Sequence, residues 1–142
     1  MRPLIVLCLL LAAPGGRAAE AEAMHYSKAD VRKELVGVVD GQLAAFRAGD
    51  FARAYTFAAR PLRAHFTLKE FSAMVTHSYP FIAHNERDEP GLPMDDGETA
   101  TLPVRVFGAG GKSADYRYQL TREADGWHIS GVLPEQRHEP DA

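Results

Sequence analysis

The chain has 142 residues, 46% hydrophobic and 25% charged, with a formal net charge of −3 and one cysteine. That length and balance fit one domain with a real core and exclude a fibrous or wholly disordered chain. The acidic excess argues against nucleic acid or an anionic membrane surface as the main partner, and a lone cysteine cannot build a disulfide framework.

The first segment reads as a leader. Arg2 supplies a positive start, Leu4 to Ala13 is an apolar run interrupted only by Cys8, and Pro14-Gly15-Gly16 ends any helix. Ala19-Glu20-Ala21 then offers an A-x-A cleavage pattern. The apolar run is too short to remain as a membrane span, so residues 1–21 are expected to be a cleaved secretory signal peptide. A lipoprotein reading would need a small residue just before Cys8, where Leu7 stands. Removal of the leader takes the cysteine with it and leaves a periplasmic or secreted chain with no membrane segment.

A single α+β domain is expected over residues 27–133. Ser27 is a candidate N-cap for a helix in which Val31, Leu35, Val38, Val39, Leu43 and Phe46 recur at helical spacing, ended by Gly49. Asp50 is placed to cap a short second helix with Phe51, Ala54 and Tyr55, which Arg60-Pro61 breaks. Thr67-Leu68-Lys69-Glu70 has the spacing of a capping box and opens a third helix through Phe71, Met74 and Val75, stopped by Pro80.

The period then changes from helical to alternating. Phe81 to Arg87 is a candidate strand, and Glu89 to Gly97 reads as a loop rich in Pro, Gly and Asp. Leu102, Val104 and Val106 alternate with polar neighbours, as do Tyr116, Tyr118 and Leu120, then Trp127, Ile129 and Gly131. Gly108 to Gly111 and Asp125-Gly126 supply the turns. A consistent register opposes Arg105 to Asp115, Val104 to Tyr116 and Arg122 to Trp127, and Pro103, which cannot donate to a ladder, marks an edge or a bulge. The polar segment from Pro134 to Ala142 is expected to be disordered. Helices followed by antiparallel strands mean N-terminal helices packed on one face of a curved antiparallel sheet.

This order resembles the nuclear transport factor 2-like (SnoaL-like) cone fold. More specifically, Gln42 to Phe46, Gly49-Asp50, Phe57-Ala58, Phe66, Phe71 through Tyr79-Pro80, and Asp125-Gly126-Trp127-His128-Ile129-Ser130-Gly131-Val132 together resemble a bacterial family, domain of unknown function 4864. The likeness runs from about Val31 to Leu133, and Ala59-Arg60-Pro61 departs from it, where a small residue and then proline would follow Phe57-Ala58 directly. The resemblance implies a fold and carries no activity.

Cones of this kind hold an apolar pocket between the long helix and the concave sheet, and in isomerases and dehydratases of similar fold an inward Asp, His or Tyr does acid–base work. Here Gln42 sits at the centre of the first helix's apolar stripe, as a pocket group or as a buried amide serving nearby backbone. Asp40 falls on the opposite side of that helix, which reads as solvated. Tyr55, Tyr79, Tyr116, Tyr118 and Trp127 are the other candidate ligand-binding residues, with plain core as the alternative. No carboxylate falls on either inward face, so no catalytic residue is assigned. The histidines lack ligand spacing, so neither a metal nor a cofactor is expected. In FSAMVTHSYPFIAHNE, residues 71–86, His77 should face solvent while Tyr79 returns to the apolar side, which argues against a His77–Tyr79–His84 cluster.

Three readings remain: a binding module for a small apolar or amphipathic ligand or for a protein, an isomerase- or hydrolyase-like enzyme using tyrosines and a histidine, and a homodimer whose pocket is filled by its own side chains.

Overall fold

The computed structural model describes residues 23–136. The leader, residues 1–21, and the end of the chain from residue 137 lie outside the described residues.

Helix α1 (Ala29–Arg47) buries Leu35, Val39, Gln42, Leu43, Ala45 and Phe46, the stripe that the periodicity predicts. Its N-cap is Lys28, without a side-chain cap, and not Ser27. Ser27 is drawn away because strand β1 (His25–Tyr26) pairs with β3 (Met94–Asp95), so that its amide donates to Pro93 O and its hydroxyl to Asp95. At the other end Gly49 adopts φ 73°, a left-handed conformation that glycine takes without a Cβ penalty. The Gly49 and Asp50 amides return to Phe46 O and Ala45 O, the Schellman pattern of helix termination.

Asp50 caps α2 (Phe51–Thr56) by accepting from the Arg53 amide at 3.0 Å. Pro61 then does more than break that helix. It stands in the first turn of α3 (Arg60–His65), where a missing N–H costs nothing. The same physics corrects the reading of Pro80, which opens the single-turn helix α5 (Pro80–Ala83) in place of the strand expected from Phe81 to Arg87. Between them α4 (Leu68–Ser78) carries both halves of the Thr67–Glu70 capping box.

Six antiparallel strands follow, counting β1: β2 (Arg87–Pro90), β3, β4 (Thr99–Phe107), β5 (Ser113–Glu123) and β6 (Gly126–Glu135). The sheet order is β1-β3-β4-β5-β6, with β2 also on β4. The segment expected to be a loop from Glu89 to Gly97 therefore contains β3 and the last two residues of β2, the two short strands that border β4. Pro103 lies where the chain passes from one of them to the other. Its carbonyl accepts from Gly91 at 2.7 Å on that side, so the absent N–H falls where neither strand needs it.

Arg105 opposes Asp115, Val104 opposes Tyr116, and Arg122 opposes Trp127, as the alternation predicts. Arg105 Nε donates to Asp115 Oδ1 at 2.8 Å. The pairing of β5 with β6 shifts between Gln119 and Leu120: Gln119 faces Gly131, Leu120 faces Ile129, and Ser130 is the extra residue. Beyond this bulge Val132, and not Gly131, packs against the core. Strand β6 runs to Glu135, two residues past the expected domain edge, and Arg117 Nε donates to Glu135 Oε2 at 2.9 Å.

Helices on one side of a curved antiparallel sheet make this an α+β fold with a cone-like interior. Its core joins the α1 stripe to the inward residues Leu102, Val104, Val106, Tyr116, Tyr118 and Leu120. Each such side chain contributes about 1.5–3 kcal/mol through burial. No helix among the described residues is long and apolar enough to cross a membrane.

Candidate functional site

A cavity of about 310 Å³ lies between α1, α3, α4, α5 and β6. Its wall is largely apolar: Phe46 from α1, Leu62 from α3, Phe66, Phe71, Met74 and Val75 from around α4, Ile82 from α5, and Ile129 and Val132 from β6. Local structure places these groups. The 57–59 link between α2 and α3 is held to β6 by Ile129 N to Phe57 O and Ala59 N to Ile129 O, both 2.8 Å, which brings Ala58 and Ile129 into the wall. The bulge at Ser130 then sends Val132 inward. Phe71 is stacked on Phe46 with ring centroids 6.1 Å apart.

Four polar residues reach the wall: Gln42, Tyr79, Gln119 and Ser130. Gln42 is buried, and its Nε2 donates to Ala54 O at 3.2 Å, so the amide serves backbone and borders the cavity at once. The Tyr79 hydroxyl donates to Val132 O at 2.9 Å. Gln119 and Ser130 are exposed and stand at the solvent side. Gly131 makes room for the first of these, because a Cβ there would meet Gln119 Oε1 at 2.9 Å.

Of the residues singled out from the sequence, Gln42 and Tyr79 stand in the cavity wall. Tyr55, Tyr116, Tyr118 and Trp127 do not. Tyr55 donates to the carbonyls of Arg63 and Phe66 and fastens α2 to the end of α3. Tyr116 is buried beside Tyr79, ring centroids 6.1 Å apart, and burial pushes its phenol pKa up. Tyr118 has no solvent exposure and its hydroxyl has no partner; burial, then the charge on Asp88, raise its pKa. Trp127 is core. The alternation identified the inward face of the sheet, but the cavity opens towards β6 beyond the bulge, and the bulge has no sequence signal. Ser130 and Val132 were missed for that reason, and Leu62 and Phe66 because they lie in and just after a short helix where the sequence shows only the Arg60-Pro61 break.

Around the 71–86 stretch the structure puts His77 and His84 in solvent and packs Tyr79 inward. At the β5–β6 turn Glu123, Asp125 and His128 bring one potential ligand atom each within 4.8 Å of one another. His128 Nε2 lies 2.8 Å from Asp125 Oδ1 and 3.7 Å from Glu123 Oε1. A metal-bound imidazole hands its other N–H to an acceptor. His128 Nδ1 is buried with none, and Glu123 Oε2 already accepts from the Arg60 amide at 2.8 Å. The group is a clamp on the turn, and its hydrogen bond from His128 holds the Asp125 carboxyl below its ordinary range.

The expectation that Asp40 is solvated is corrected, and two further carboxylates are buried away from the cavity. Asp95 is buried and accepts from Ser27 Oγ and, at 3.0 Å, from Gly97 N. The Asp88 side chain, on β2, is 6% exposed and faces Arg47 Nη1 at 3.4 Å. Asp40, which the helical wheel assigns to the solvated side of α1, is half-buried because β2 packs on that side. Burial first, then a hydrogen bond with Asp88 and the Asp88 charge, push its carboxyl up to about 7, against the opposing effect of Arg47. None of these carboxylates borders the cavity.

No curated protein and no solved structure matches the chain. A family model does, over residues 28–142, from the N-cap of α1 onward, and its description is a domain of unknown function. With the helices, strands β2 to β6 and the cavity inside that span, the chain belongs to the family of domain of unknown function 4864 (DUF4864).

Proposed function

We propose that this protein is an exported binding module of the cell envelope, whose cavity takes a small apolar or amphipathic ligand. The observation that carries the reading is the chemistry of the cavity wall. Tyr79 is the one titratable residue that lines it, and its hydroxyl is committed to Val132 O. General acid–base catalysis needs a group with a transferable proton within hydrogen-bond reach of the substrate, which this wall does not offer. A charge placed there would be buried without a counter-ion, at a cost of several kcal/mol. The buried part of the ligand is therefore uncharged, with any polar head beside Gln119 and Ser130. The nuclear transport factor 2-like cone belongs to the same proposal, supported by the order of helices before a curved antiparallel sheet. Export rests on the leader pattern in residues 1–21.

Native mass spectrometry of the protein purified from an envelope fraction tests the proposal. The expected species begins between Ala19 and Met24, lacks Cys8, and either carries a non-covalent adduct or takes up added decanol. A chain that retains Cys8 overturns export. A chain that carries nothing and does not bind decanol overturns the ligand reading, and the same spectrum reports whether the protein is a homodimer.

A further inference from the structure

Away from the cavity, a chain of polar contacts joins α1 to the segment that runs from α5 into β2. Asn85 is 4% exposed, and its Nδ2 donates to Leu43 O on α1 at 3.0 Å and to Ile82 O at 2.9 Å. Its Oδ1 accepts from Arg47 Nη1, and the same guanidinium nitrogen reaches Asp88 Oδ1 at 3.4 Å. Asp88 then faces Asp40, two turns back along α1, across the seam where β2 packs on that helix. Two ionised carboxylates have only acceptors to offer, so that contact requires a proton on one of them. Each keeps one buried oxygen with no hydrogen-bond partner, Oδ1 of Asp40 and Oδ2 of Asp88. One proton satisfies both.

We infer that Asp40 carries this proton and shares it with Asp88, and that its loss unlatches α1 from β2. The charges assign the proton. Arg47 Nη1 faces Asp88 Oδ1, which places the negative charge of the pair there and the proton on Asp40. With one proton the Asp40, Asp88 and Arg47 group is neutral. Without it, two negative charges face each other in a half-buried seam against one guanidinium. Among the described residues the buried Tyr118 on β5 also feels the Asp88 charge, but its phenol stays neutral and supplies no countercharge. Helix α1 also supplies Gln42 and Phe46, and α5 supplies Ile82, to the cavity wall, so the latch holds two of its sides in place. The inference does not depend on what the cavity binds.

The sign follows from linkage. The folded state holds the Asp40 proton up to about pH 7, whereas in an opened chain the carboxyl returns to its ordinary value of 3.8. The stabilisation is complete below the ordinary value, declines as pH rises towards 7 and is absent above it. Within that window the opening equilibrium of α1 rises by up to about tenfold per pH unit, less where solvent screens the pair. Hydrogen exchange of the α1 amides between pH 5 and 8, corrected for intrinsic base catalysis, measures it. The expected result is loss of protection in the wild type as pH rises, levelling off above neutral. In Asp40→Asn the side-chain amide donates to Asp88 at every pH, so protection should be independent of pH. Identical profiles for the two proteins overturn the inference. Carbon-13 titration of the Asp40 carboxyl in the wild type decides independently of whether the variant folds: a midpoint near neutral supports the latch, and an ordinary aspartate midpoint overturns it.

Discussion

Tyr79 and Val132 are bound to each other, phenol to backbone carbonyl at 2.9 Å, and this contact ties the junction of α4 and α5 to the last strand at the cavity wall. The ring beside it packs on the core and on Tyr116. Tyr79→Phe removes the hydrogen bond alone and should cost about 1 kcal/mol. Tyr79→Ala also removes the packed ring and should cost roughly 3 kcal/mol or more. Denaturant unfolding of the two variants measures the difference, and equal small losses would show that the ring does not hold the wall.

Tyr118 tests the opposite situation, a buried hydroxyl with no partner. Since the unfolded chain can hydrate that hydroxyl and the folded one cannot, Tyr118→Phe should not destabilise the protein and should gain up to about 1 kcal/mol. Tyr118→Ala opens a cavity between α1 and the sheet and should cost at least about 3 kcal/mol. A large loss in the phenylalanine variant would reveal a partner for the hydroxyl in solution.

Gly37 and Gly41 lie on the same helix one turn apart and should respond differently to alanine. A Cβ at Gly37 meets nothing within 4 Å, so Gly37→Ala should gain about 0.5–1 kcal/mol from helix propensity. At Gly41 the new methyl would lie 2.8 Å from the Phe57 ring, which must move to admit it. Gly41→Ala should therefore fall at least about 1 kcal/mol below Gly37→Ala in thermal unfolding. Equal gains at both positions would mean that Phe57 yields freely.

His77 lies on α4 and Thr67 caps it, but only the cap has a structural task. His77→Ala, at an exposed site, should change stability by no more than about 0.5 kcal/mol. Thr67→Ala removes the hydroxyl that accepts from the Glu70 amide at 3.1 Å and should cost about 1 kcal/mol. Chemical unfolding monitored by circular dichroism separates the two outcomes.

The sequence by itself determined whatever a residue settles with its near neighbours. Asp50 and Thr67 could be read as caps because a short polar side chain reaches only the amides a few residues ahead. The α1 stripe and the alternation on β4 and β5 were legible because burial on one face repeats with the period of the element. Two opposed periodic strands joined by a glycine-rich turn leave little freedom of register, so Arg105 could be set against Asp115. Tertiary structure alone decided the rest. Strands β1, β2 and β3 are too short to show a period; β2 and β3 form because β4 offers them an open edge, and β1 because β3 then offers its own. Ser27 abandons its helix for Asp95 because β1 pairs with β3. The bulge at Ser130, on which the cavity wall turns, is a mismatch between two strands and exists in neither of them separately. Asp40 looks solvated on the helical wheel, and only the arrival of Asp88 from β2 desolvates it, since the environment of a carboxylate depends on every segment that packs against it.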